Sequence, residues 1–191
     1  MNVAQDPRTE GRPGSLFCLQ HEIGGVEEPS LSPGIPDGND VQGPSIRQTT
    51  AFVRAAHAGA TAEGKPRWAR SLEIMHLLPA VLPGIKVTHA ERQVALLRDV
   101  LRATAETEDS LLRAGFPAEV VISVQRLTRF DVGFPYLDHV GVVAGSRDLA
   151  AKRVMMATLL REERSAASGA EAPGARDRRR KAMEIMRRGL G

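Results

Sequence analysis

Arg98 and Arg102 are the residues whose type and spacing bear most directly on chemistry. They stand four apart in a helical stretch and so share one face. Two guanidinium groups on one face can grip a phosphate through paired, charge-assisted hydrogen bonds. Neither can hold a metal, because arginine has no acceptor lone pair and stays protonated. Two arrangements satisfy the pair. In one, both arginines line a metal-free anion pocket. In the other, Arg98 pairs with a neighbouring carboxylate and stitches helices together while Arg102 is solvated. His76 lies on an apolar helical stretch, where a histidine is either a hydrogen-bonded core residue or a ligand. His57, His89 and His139 show no ligand-like spacing and read as structural or exposed. Met155 and Met156 are soft apolar side chains suited to filling an irregular volume.

Other chemistries are excluded. The chain has no glycine-rich phosphate loop, nucleophile elbow or HExxH motif. Its single cysteine, Cys18, rules out an internal disulfide or a cysteine-cluster zinc site and fits a reducing compartment. No apolar run approaches the ~20 residues needed to cross a bilayer, and the N-terminus lacks a signal pattern. The expectation is a cytoplasmic protein with no membrane partner. The net charge of +3 is uneven. Residues 164–191 carry eight basic against three acidic side chains, and the remainder 18 against 20. The run Arg176, Arg178, Arg179, Arg180, Lys181, Arg187, Arg188 has no interleaved aromatics for base stacking. It reads as a solvated tail that forms a helix only if it finds a surface, and nucleic acid is not an expected partner.

The positioning elements are helices. Residues 1–46 contain seven glycines and six prolines without apolar periodicity, a composition of disorder; the segment 15–19 is their one apolar patch. Helical periods follow at 51–58, 68–82 (which Pro79 should kink or shorten), 88–104, 107–114, 118–127, 135–144 and 146–163. Thr88 and Glu91 form a capping box, in which each side chain satisfies the other residue's free amide. Ala90, Val94, Leu97 and Leu101 share a face widened by Leu96 and Val100, and a helix so broadly apolar belongs at the centre of a bundle. No strand-like alternation of useful length is present. The expected fold is all-α, a bundle of six or seven helices over residues 48–164, with a disordered tail at 1–47 and a linker and basic tail at 165–191.

The stretch Ala95-Leu96-Leu97-Arg98-Asp99-Val100-Leu101-Arg102-Ala103-Thr104 resembles the core helix of the HD-domain metal-dependent phosphohydrolases. It is most similar to the RelA/SpoT-type hydrolases of guanosine tetraphosphate and their small stand-alone relatives, which read A-L-L-H-D-V-x-E-D-T here. Residues 108–121, 124–129, Pro135-Tyr136-Leu137-Asp138, Ala55-Ala56-His57-Ala58-Gly59 and Ile74-Met75-His76 also match in order and spacing. The likeness covers about 110 residues.

The resemblance implies an HD-domain-like bundle and, in the family, a divalent ion held by two histidines and two aspartates that activates water against a guanosine 3′-pyrophosphate. Carried over residue by residue, it places His76 and Asp99 as remnant metal ligands. Arg98 replaces the family histidine, Thr158 the last aspartate and Arg102-Ala103 the water-orienting acidic pair. Glu162 falls on a downstream asparagine. Arg98, Arg102 and Tyr136 become the candidate substrate-binding residues. The remaining four-residue shell carries about zero net charge instead of two carboxylates, so the manganese site is expected to be lost and no cofactor is expected. Two functions follow from the resemblance. One is a guanosine-3′,5′-bis(diphosphate) 3′-pyrophosphohydrolase homologue, impaired or inactive. The other is a pseudoenzyme that binds an anionic nucleotide or a protein partner in a regulatory role.

Overall fold

The computed structural model describes residues 43–62, 64–129, 133–167 and 172–191. The expected N-terminal tail, up to residue 42, and its apolar patch lie outside the described residues. Within them the chain is all-α. In order come α1 (Ile46–Ala56), β1 (Thr61–Ala62), β2 (Lys65–Pro66), α2 (Arg67–Val81), α3 (His89–Leu97), α4 (Val100–Ala103), α5 (Glu108–Arg113), α6 (Ala118–Leu127), α7 (Tyr136–Gly145), α8 (Leu149–Ala166) and α9 (Ala175–Leu190). The two strands make one tiny antiparallel hairpin, with Thr61 opposite Pro66, too short to leave an alternating signature in the sequence.

Side-chain caps define several helix starts. Ser45 with Gln48 opens α1, Thr88 with Glu91 opens α3, and Thr107 with Ser110 opens α5, each as a reciprocal capping box. Asp148 caps α8 through Ala151 N, two residues inside the start of the expected helical period. Pro79 sits inside the last turn of α2, exposed, and the helix runs two residues beyond it to Val81.

The core is built around α3, whose Val94, Ala95, Leu96 and Leu97 are all buried and which packs on α1, α2, α6 and α8. One charged pair runs through this core. Arg153 of α8 has no exposed surface, and its Nη1 donates to both oxygens of Glu91, at 2.8 and 2.9 Å. Its guanidinium also donates to the carbonyls of Leu78, Ile85 and Lys86. It therefore satisfies one carbonyl in the last turn of α2 and two in the loop that follows, and it ties α2, α3 and α8 together at one point.

Two features depart from the sequence expectation. The single helix expected over 88–104 is broken at Arg98–Asp99, where Asp99 takes φ −99° and ψ −5°, a bridge conformation common at functional sites. The basic segment expected as a linker and tail is instead part of the fold. α9 buries Ala182, Met183 and Met186 against α7 and α8. Lys152 anchors its end by donating to Gly189 O at 2.6 Å. The three apolar residues are at helical spacing and supply the surface that the surrounding charges obscured.

Candidate functional site: an arginine-lined cavity beside a buried aspartate

The break between α3 and α4 turns Asp99 into the interior, where only 3% of it is exposed. Its Oδ1 receives Arg98 Nη2 at 3.5 Å and Arg102 Nη2 at 3.4 Å. Burial alone would raise the Asp99 carboxyl, but the charges of Arg98, Arg70, Arg102 and Arg67 outweigh it and hold it below the usual carboxylate range. Burial pushes the Arg98 guanidinium down from its ordinary value, Arg70 and Arg102 push the same way, and Asp99 and Glu162 oppose them. Arg98 Nη1 is buried and has no hydrogen-bond partner among the described residues.

Next to this pair lies a cavity of about 520 Å³. Arg70 of α2, Arg129 after α6, Arg161 of α8, and Arg178 and Arg179 of α9 converge on it, with Tyr136, Glu162, Ser165 and Ala175. Glu162 is the one carboxylate in this lining, and Arg70 Nη2 donates to it at 3.1 Å. Arg161 pairs with Glu73 at 2.9 Å, and Arg179 with Glu163 at 2.5 Å. Arg129 and Arg178 have no ion-pair partner among the described residues. Burial, helped by Glu162, pushes the Tyr136 phenol up to about 12. At neutral pH it is therefore a hydroxyl able to donate. A cavity with this lining attracts anions and offers fork-shaped donors suited to phosphate oxygens.

Arg98 and Arg102 both pair with Asp99, and Tyr136 lines the cavity with Arg98 within electrostatic reach. Arg102 is half exposed and engaged with Asp99, so it belongs to the aspartate cluster rather than to the lining. His76 is exposed on α2, whereas Asp99 is buried. The histidine that does sense Asp99 is His57, at the end of α1. It is 2% exposed, and neither of its ring nitrogens has a hydrogen-bond partner among the described residues. Burial depresses its pKa, with Asp99 opposing and Arg67 assisting. Thr158 is buried and donates to Val154 O at 2.8 Å, a helix-internal bond that uses its hydroxyl proton.

The residues present do not fit a divalent metal. Asp99 is already neutralised by two guanidinium groups, Arg98 is a fixed cation beside it, and the Thr158 hydroxyl is a neutral group bonded within its own helix. Among the described residues no group of three or more His, Cys, Asp or Glu side chains is placed to hold one.

Sequence reasoning missed His57, Arg70, Arg129, Arg161, Arg178 and Arg179. The local signal was weak: Arg161 and Ser165 lie one turn apart on α8, and Arg178-Arg179 sit in a basic run already assigned to solvent. Their convergence depends on where α9 packs. No protein-family model matches the chain, and no curated protein matches it.

Proposed function

We propose that this chain is a metal-independent relative of the HD-domain phosphohydrolases that binds a phosphorylated anion, of the nucleotide class, without hydrolysing it. The observation that carries this reading is the cavity in which five arginines face one glutamate, two of them without a carboxylate partner among the described residues. Unsatisfied cations sharing one concave surface are poised for an anion. The positions that align with family site residues support the same reading. Tyr136 and Glu162 line the cavity, and Arg98 lies within electrostatic reach of both. The volume accommodates a small phosphorylated molecule. Hydrolysis is not part of the proposal, because the groups that would hold an ion and orient water are arginine, alanine and threonine at positions 98, 102, 103 and 158.

The test is a calorimetric titration of the full chain with guanosine tetraphosphate and with inorganic pyrophosphate. Wild type should bind, and the double variant Arg129→Ala/Arg178→Ala should lose at least tenfold in affinity while melting at the wild-type temperature. Equal binding by the double variant would remove the cavity from consideration as the site.

A further inference from the structure

The cavity contains a contradiction that bears on what enters it. Glu162 sits among the arginines, and a carboxylate in an anion site repels the ligand as it neutralises the lining. It is committed to Arg70, at 3.1 Å, with both side chains only partly exposed. Its charge also reaches Arg98 and Tyr136. Arg98, meanwhile, keeps a buried Nη1 with no hydrogen-bond partner among the described residues. The glutamate thus has one cation it occupies and a second, under-satisfied cation within electrostatic reach.

Resting on the anion-binding reading above, we propose that Glu162 is an exchangeable internal counter-ion that selects polyanions. In the empty cavity it holds Arg70. A ligand with two linked phosphate groups meets Arg129 and Arg178, takes Arg70 from Glu162, and drives the carboxylate toward Arg98 Nη1. Three guanidinium groups then face about three negative charges. A single phosphate or a carboxylate ligand carries too little charge to displace Glu162, and it stays excluded by like-charge repulsion at close range. The cavity therefore takes diphosphate-bearing molecules and rejects monophosphates, and Arg98 contributes by receiving the displaced carboxylate rather than by touching the ligand.

Glu162→Gln keeps the shape and one hydrogen-bond acceptor while removing the charge. Titrations of wild type and variant with inorganic phosphate and inorganic pyrophosphate, at matched ionic strength, read the filter. Wild type should bind pyrophosphate and hold phosphate at least tenfold more weakly. In Glu162→Gln the affinity for phosphate should rise about tenfold, the scale of one charge–charge contact at a partly exposed site. Pyrophosphate should gain less, so the preference narrows. Arg98→Lys gives the independent arm: it keeps the charge beside Asp99 but loses the forked receiver, and it should weaken pyrophosphate while leaving phosphate unchanged. An unchanged or widened preference in Glu162→Gln overturns the filter. If neither ligand binds wild type or either variant, the underlying anion-binding reading fails instead.

Discussion

Arg153 and Glu91 form an ion pair with both side chains buried in the core. Such a pair offers little net stability over a well-packed apolar pair, yet breaking it leaves a buried charge without compensation. Arg153→Met should therefore cost about 3–5 kcal/mol in urea unfolding, and adding Glu91→Leu should recover much of that loss. A second expectation concerns pH. His57 and His139 both have pKa values depressed by burial below the ordinary 6.5. The unfolded chain then binds more protons than the native one, and stability falls as pH drops below about 6.5 toward their lowered values. Melting temperatures between pH 7.5 and 5.5 should show this decline, and His57→Gln should flatten it. A histidine with two unpartnered nitrogens is not visible in sequence; His57 looked like one more residue near a helix end. Arg98, Asp99 and Arg102 were legible as neighbours because they lie within five consecutive positions of the chain.

Helices capped by local chemistry were legible for the same reason. Thr88 and Glu91 act within four residues of each other, and the structure uses both as expected. What could not be read locally was the break at Arg98–Asp99, where Arg67 and Arg70 of α2 join Arg98 and Arg102 in acting on one aspartate, and the seating of α9. That helix carries seven basic against two acidic side chains, and only its packing on α7 and α8 explains why it belongs to the fold. Gly189 gives a handle on this seat: a methyl added there would stand 2.6 Å from Ala144 O and 2.8 Å from Ala144 Cβ. Gly189→Ala should destabilise the chain by roughly 1–3 kcal/mol, the usual cost of overpacking. Because α9 brings Arg178 and Arg179 to the cavity, the variant should also weaken pyrophosphate binding, and amide exchange should quicken in α9 before it does in α3. Protection of α9 unchanged from wild type would mean that the contact yields without unseating the helix.

Across the whole molecule, charge is sorted by location rather than by sequence order. No helix among the described residues is long and apolar enough to cross a membrane, and the basic excess of the last 28 residues is partly turned inward, toward the cavity. A chain that places cations from α2, α8 and α9 and the segment after α6 around one space gains from an anion there what it otherwise loses to mutual repulsion. As proposed above, this anion is bound without a metal and left intact. The most direct measurement is a calorimetric titration of the wild-type chain with guanosine tetraphosphate, run once with a chelator and once with manganese, with the nucleotide recovered and analysed afterwards. Metal-free binding without hydrolysis predicts the same affinity in both runs and unchanged nucleotide. Binding that appears only with manganese, or recovery of guanosine diphosphate and pyrophosphate, would contradict it.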